Sequence, residues 1–346
     1  MSKEIGRNAM ATMSALARQV IAAVVMLGLI GLASPVAAQQ PTSVNPTASS
    51  VKEDRLLSEL NKVRGRGSIP DVKSYTVEQP AGREWRRFHE VWLQWIGAVA
   101  ILGMLAVLVA YYLYRGPIRV RAGRSGRTIT RFNALERFAH WLTATCFVIL
   151  ALSGLNITFG KRLLLPLIGP DAFTAFSEAA KYAHNFLSFP FVAGLVLLAV
   201  LWVRDNFLDK VDIQWLKEGG GMVGSKHPPA NRFNAGQKIL FWIVLMSGAL
   251  VAISGYLLMF PFSVTDITGM QVGQVVHAVI GVLFIALIIG HIYLGTIGME
   301  GAFEAMGTGE VDVNWAKEHH SVWFEQEFGK GRAAAPPAQA AAKPAT

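Results

Sequence analysis

The stretch "VVHAVIGVLFIALIIGHIYLG", Val275 to Gly295, holds two histidines, His277 and His291, and no Asp, Glu, Lys or Arg. Imidazole binds transition metals as a neutral base and titrates near neutral pH. A histidine inside an apolar run therefore serves as a metal ligand, a proton carrier or an interhelical hydrogen bonder. Fourteen residues separate the two. At ~100° per residue the second ring returns to within ~40° of the first, ~21 Å further along a helix. One helix face thus carries two imidazoles at two depths. Four of the eight histidines fall in such runs: His140, His184, His277 and His291. His89, His227, His319 and His320 lie in flanks, loops or the tail and read as solvated surface groups.

The elements that must hold these rings are membrane spans. Of 346 residues, 52% are hydrophobic and only 16% charged, where a soluble protein carries roughly 25% charged. Val91–Tyr114, Phe138–Gly160, Tyr182–Val203, Ile239–Thr265 and Ile267–Met299 contain no Asp, Glu, Lys or Arg. Each exceeds the ~18–20 residues that cross a bilayer as a helix, and helices are required because backbone groups in lipid must be satisfied within the segment. The chain reads as an all-α integral membrane protein. One extra N-terminal span (residues 91–114) precedes a four-helix bundle within residues 115–330, with spans near 135–158, 182–204, 238–260 and 272–297.

An earlier apolar run, "VIAAVVMLGLIGLA", follows Lys3, Arg7 and Arg18 and precedes the small residues of "SPVAAQQ". This order is that of a signal peptide cut after Ala38, with an uncleaved sixth helix as the alternative. Residues 39–90 then form an exported segment, Pro/Ser/Thr-rich at first, with a short amphipathic helix at Val51–Arg64. The end of the chain, 331–346, has the low complexity of a disordered tail.

Charge placement orients the bundle. Arg115, Arg119, Arg121, Arg124, Arg127, Arg131 and Arg137 lie between the first two spans, and Arg204, Lys210, Lys217, Lys226, Arg232 and Lys238 between the third and fourth. The positive-inside rule puts both connections in the cytoplasm. The exported segment is itself basic, but long segments translocate largely regardless of charge. The basic excess reads as a patch for anionic lipid, not for nucleic acid. In this topology His140 begins the second span at the cytoplasmic side, and His184 begins the third at the outer side. The last span runs inward, so His291 matches the depth of His140, and His277 that of His184.

The bundle also repeats itself. "RFNALERFAHW" (Arg131–Trp141) resembles "RFNAGQKILFW" (Arg232–Trp242), and the same offset of 101 aligns "LSGLNITF" (Leu152–Phe159) with "ISGYLLMF" (Ile253–Phe260). Two copies of one hairpin related by an axis along the membrane normal are expected.

Two facing imidazole pairs are what two bis-histidine b-type haems need, one pair per iron with no open position. That geometry suits electron transfer rather than oxygen chemistry. Gly154, Gly194, Gly281 and Gly290 could let a macrocycle lie against the helices, or serve ordinary helix packing. A proton relay, a structural metal site or four interhelical hydrogen bonders are the other readings of the histidines. The single cysteine, Cys146, excludes an internal disulfide and an iron–sulfur cluster held by this chain alone, and without Cys-x-x-Cys-His there is no covalent haem.

The motifs "RFNALERFAHW", "AHN", "RFNAGQK", the His-x13-His of the last span and "HHSVWFEQE" (His319–Glu327) together resemble the cytochrome b556 (gamma) subunit of respiratory formate dehydrogenase, over roughly Arg127–Glu327. The N-terminal segment and first span are additional to its compact four-helix form. The resemblance implies an electron-transfer subunit of an oxidoreductase complex, in a bacterial inner membrane. Formate would be oxidised outside by a molybdenum or tungsten pterin alpha subunit, and a beta subunit would carry electrons through iron–sulfur clusters. Electrons would then pass from an outer haem (His184, His277) to an inner one (His140, His291) and on to quinone at the cytoplasmic side. The resemblance carries a quinone site to Asn234, Gly236 and Gln237 beside His291, although Asn234 could equally be a helix N-cap. A haem b subunit of a quinone-linked nickel–iron hydrogenase or thiosulfate reductase, and a haem-free membrane anchor, are the rival readings.

Overall fold

A computed structural model describes residues 82–222 and 227–329. The signal-like stretch, the Val51–Arg64 helix and the tail expected from the sequence lie outside the described residues.

Among the described residues, five helices are long and apolar enough to cross a membrane. They are α1 (Gly82–Arg115, with a π-turn at Phe88–Trp92), α2 (Ala134–Leu163), α3 (Leu165–Trp202), α5 (Ala235–Met259) and α6 (Ile267–Tyr293, continuing through a π-turn at Leu294–Gly298). Helix α2 packs chiefly on α3, α5 on α6, and α1 against α6. Large apolar side chains such as Val99, Leu102, Val107, Val200, Ile253 and Leu283 stay exposed on the helix faces, as a lipid-facing surface requires. Helical structure runs past the apolar stretches. Helix α3 begins at Leu165 and is broken only at Gly169, whose φ of 78° precedes Pro170. Proline is tolerated at a helix start, because its missing N–H is not needed there. His184 consequently sits nineteen residues after Leu165, not in a first turn.

The other elements gather at one end of the bundle. They are β1 (Thr128–Thr130), α4 (Lys210–Lys217), α7 (Glu304–Gly307), β2 (Glu310–Asp312), α8 (Val313–His319) and α9 (Ser321–Phe328). Strands β1 and β2 pair antiparallel, with Ile129 opposite Val311. Their buried residues join Phe132, Trp202, Phe233, Trp315 and Trp323 in one apolar cluster that closes the end where α2 and α5 begin.

The repeat at offset 101 is visible in this cap. Asn133 and Asn234 each N-cap their helix through a full capping box, with Glu136 and Gln237 as the reciprocal partners. Arg131 donates to the Arg232 carbonyl at 2.7 Å, and Arg232 donates back to the Arg131 carbonyl at 3.2 Å. Phe132 and Phe233 pack with ring centres 5.7 Å apart and planes tilted at 44°. Equivalent residues meeting each other reciprocally is the signature of a two-fold axis. The copies differ in how the arginines are paired. Arg232 pairs with buried Glu136 at 2.6 Å, whereas Arg131 meets the neutral Gln237 at 3.4 Å. Burial, and then Arg232, lower the Arg131 guanidinium to about 9, so it remains charged at neutral pH.

Lys238, counted above among the basic loop residues, is buried instead. Its Nζ meets Asp212 Oδ2 at 2.6 Å and the Phe207 carbonyl at 3.0 Å, and the Lys238 and Asp212 side chains are 2% and 1% exposed. Removing one partner of a buried pair leaves an uncompensated charge. Lys238→Ala is therefore expected to destabilise the protein by about 3–5 kcal/mol, read as a lower midpoint of thermal unfolding in detergent. Lys238→Met with Asp212→Leu should regain most of that loss, short of the capping bond Asp212 makes to Asp209 N.

Candidate functional site

Helix α6 presents His277 and His291 on one face, with Phe284 midway, seven residues from each. Seven residues are close to two turns, ~10 Å of rise. His291 faces His140, in the second turn of α2, with ring centres 6.2 Å apart and planes at 63°. His277 faces His184 of α3, with ring centres 6.0 Å apart and planes at 70°. The four histidines of the apolar runs thus meet as two pairs. Between them Phe284, 3% exposed, packs on Phe147 of α2 at 4.6 Å. Phe191, Leu195 and Cys146 complete this apolar layer.

Hydrogen bonds fix the tautomers at the pair far from the cap. Ser153 Oγ donates its proton to the Ile149 carbonyl at 2.7 Å, so it accepts from His184 Nδ1–H at 2.8 Å. His277 Nδ1–H donates to the Val251 carbonyl at 2.9 Å and lies 3.2 Å from Ser254 Oγ, whose own proton goes to the Leu250 carbonyl at 2.6 Å. A proton on Nδ1 leaves the lone pair on Nε2, the usual condition of a metal-ligating histidine whose second nitrogen is held by an outer partner. Sequence reasoning missed Ser153 and Ser254. The signal was available: both stand in the aligned "SG" pairs of the 101-residue repeat. Of the glycines beside them, Gly255 makes room for the His277 ring, since a Cβ there would stand 3.1 Å from it, whereas one on Gly154 would meet the His184 ring at an ordinary 3.5 Å.

Nearer the cap, His140 Nδ1 is buried without a hydrogen-bond partner among the described residues. Trp141 packs on the His140 ring edge-on at 5.3 Å and donates from its indole N–H to the Met306 carbonyl at 2.8 Å. The cap elements thereby hold the end of α2 that carries His140.

Two nitrogens each ~2 Å from a shared metal, with ring centres about 1 Å behind them, set ring centres about 6 Å apart. Both pairs match that span. Gly281, one turn after His277, has no atom within 4 Å of where a Cβ would stand, so a flat group can approach the backbone there. Gly194 instead packs against Thr143 across α2–α3, and Gly290 faces Met104. The donor set of neutral imidazoles in an apolar bundle thus fits a bis-histidine haem at either pair.

The three residues proposed to touch a quinone are placed differently. The Asn234 side chain accepts from Gln237 N at 2.9 Å, and Gln237 Oε1 accepts from Asn234 N at 3.0 Å. Both are engaged as a helix cap. A Cβ on Gly236 would come 3.1 Å from Trp215 of α4, so this glycine serves the packing of α4 on α5.

The loop histidines are not free surface groups. His89 stacks on Trp85 with ring centres 5.7 Å apart. His320 is 1% exposed, and its Nδ1–H donates to the Asn231 carbonyl at 2.7 Å. Burial, then Arg131, hold its pKa well below the usual histidine value. Burial, then His227 and Arg131, lower His319 to about 4. Burial also lowers His227, against an opposing pull from Glu318.

Relatives give this site its setting. The chain is 29% identical over 203 residues to "Formate dehydrogenase, cytochrome b556(fdo) subunit" of Escherichia coli K12, covering 58% of this chain and 93% of that protein. It is 28% identical over 207 residues to the "nitrate-inducible, cytochrome b556(Fdn) subunit" of the same organism, covering 58% and 92%. A Haemophilus influenzae "Formate dehydrogenase, cytochrome b556 subunit" is 25% identical over 208 residues, covering 58% and 83%. The family model for prokaryotic cytochrome b561, a group whose name implies haem b, matches residues 131–309, a stretch that contains all four paired histidines, and the chain belongs to that family.

Proposed function

We propose that this chain is the membrane cytochrome b subunit of a formate dehydrogenase, holding two b haems between His140 and His291 and between His184 and His277. The observation that carries the reading is the pair of imidazole contacts, 6.2 and 6.0 Å between ring centres, at two depths of one bundle. The names of the relatives support formate dehydrogenase as the complex, and the partners we assign are the pterin-bearing alpha subunit and iron–sulfur beta subunit that the sequence resemblance implies.

Haem b, when bound, cycles between ferric and ferrous iron and so carries one electron at a time. The residues do the rest. His140 with His291, and His184 with His277, would supply two imidazoles to each iron, which would keep oxygen and water from it. Ser153, Ser254 and the Val251 carbonyl orient the rings of the outer pair. Phe147 and Phe284 fill the layer between the pairs and keep it dry. With the cap on the cytoplasmic side, as the positive-inside rule favours, the His184–His277 pair would take up electrons first and the His140–His291 pair would pass them on to quinone. Their inward movement stores ~2.3 kcal/mol per charge per 100 mV.

The quinone site we assign is at the cap side, near Asn234, Gly236, Gln237 and His291, as the sequence resemblance implies. Capping takes up the Asn234 carbonyl and leaves its amide N–H groups for a quinone oxygen.

His277→Ala is expected to lose one of two haems, the outer, in a pyridine haemochrome assay of the purified complex, and His140→Ala to lose the inner. Unchanged haem in His277→Ala would refute the pairing. Two haems reduced by formate support the complex assignment, two reduced only by hydrogen or a sulfur donor redirect it, and no haem leaves a membrane anchor.

Asn234→Asp retains a good N-cap but removes the amide donor. It should keep both haems and slow quinol formation at least tenfold, and an unchanged rate would remove Asn234 from the quinone site.

A further inference from the structure

Outside the histidine pairs, the described residues bring one further set of ligand atoms together: His227, in the segment leading to α5, with Glu318 and His319 at the end of α8. One nitrogen or oxygen from each lies within 4.8 Å of the other two. His227 Nε2 stands 2.9 Å from Glu318 Oε1, and the rings of His227 and His319 lie with centres 5.2 Å apart. His319 Nε2 is buried with no hydrogen-bond partner among the described residues. Buried polar atoms in native proteins nearly always have a partner, so this nitrogen calls for one.

We infer that His227, Glu318 and His319 form a binding site for a single divalent transition-metal ion of the zinc class at the cap of the bundle. Two imidazoles and a carboxylate are the three-ligand set of open zinc sites, which leave a fourth position to water. The nitrogen-rich set suits zinc, nickel or copper and not the oxygen-seeking magnesium or calcium. Ligand atoms around a tetrahedral zinc at ~2.0–2.2 Å stand ~3.3 Å apart, so His227 and Glu318 need separate by only a few tenths of an ångström.

The surroundings hold the ligands in place. Glu318 Oε2 accepts from Arg121 N at 2.9 Å, which aims Oε1 at His227. Trp315 packs on the His319 ring at 5.2 Å. His320 is turned away, with its Nδ1–H given to Asn231, and is no ligand. The His227 and Glu318 side chains are 15% and 11% exposed, enough for an ion to enter and for a water to complete the shell. Against binding stand Arg115 and Arg121, whose charges act on His227, and Arg131, whose charge acts on His319. They set the affinity below that of a closed four-ligand zinc site. An ion here would tie the segment before α5 to α8.

The test is zinc ion alone, titrated into the full, haem-loaded chain bearing no histidine tag. It is read by competition with a chromophoric chelator and by metal analysis after gel filtration. One equivalent is expected. His227→Ala and Glu318→Gln should each weaken it at least tenfold, with haem content unchanged. His319→Ala could disturb the packing on Trp315, so His227→Ala, in the preceding loop, carries the test. Zinc should also raise the midpoint of thermal unfolding in the parent chain and not in His227→Ala. No stoichiometric zinc, or zinc bound equally by the variants, would overturn the site and leave water as the partner of His319.

Discussion

The two arginines that cross at the bundle's two-fold axis set the level of everything above them. Arg131 and Arg232 each give a guanidinium N–H to the other's carbonyl. These bonds fix the starts of α2 and α5 side by side. The depth of His140 follows from where α2 begins, and the partner depth on α6 follows from its packing on α5. Two like charges in contact repel, and the structure offsets this on the Arg232 side only, through Asp205 and through Glu136, which also accepts from Trp202 Nε1 at 2.8 Å. Arg131 has no matching carboxylate in the other copy, because Gln237 stands there. Its charge is spread over carbonyl oxygens and the faces of Phe132 and Trp315, ~5 Å away.

Much of this was legible in the sequence, because membranes restrict what residues can do. Charge-free runs gave the spans. Fourteen residues between His277 and His291 gave a shared face, and depth then paired the rings. The offset of 101 predicted equivalent copies, and the capping boxes at Asn133 and Asn234 make that equivalence physical. The same boxes explain why the quinone set could not be settled by pattern: a residue that caps a helix and one that binds a ligand look alike in sequence.

What stayed hidden depended on long-range packing. Lys238 looked like a loop charge until α4 brought Asp212 to it. His227, His319 and His320 looked solvated until β2 and α8 folded back over the cap. No local pattern marks such contacts, which join residues 26 positions apart at Lys238 and Asp212 and 91 apart at His227 and Glu318. Helix α3 was hidden for a different reason. Its polar first turns carry charges that a hydropathy reading assigns to a loop, yet after Gly169 and Pro170 nothing in the sequence stops the helix. Propensity and the proline start win there over the need for a water-exposed connection.

The distribution of the four rings over the helices also orders the making of the protein. Helices α2 and α3 form one hairpin, and α5 and α6 the other. Each imidazole pair takes one ring from the first hairpin and one from α6. A nascent chain that has inserted only its first hairpin therefore holds two single histidines and neither pair. Both pairs come into being in the same event, when the second hairpin docks and the crossed arginines meet. Biogenesis is thus expected to proceed by insertion and docking of both hairpins first and cofactor capture last.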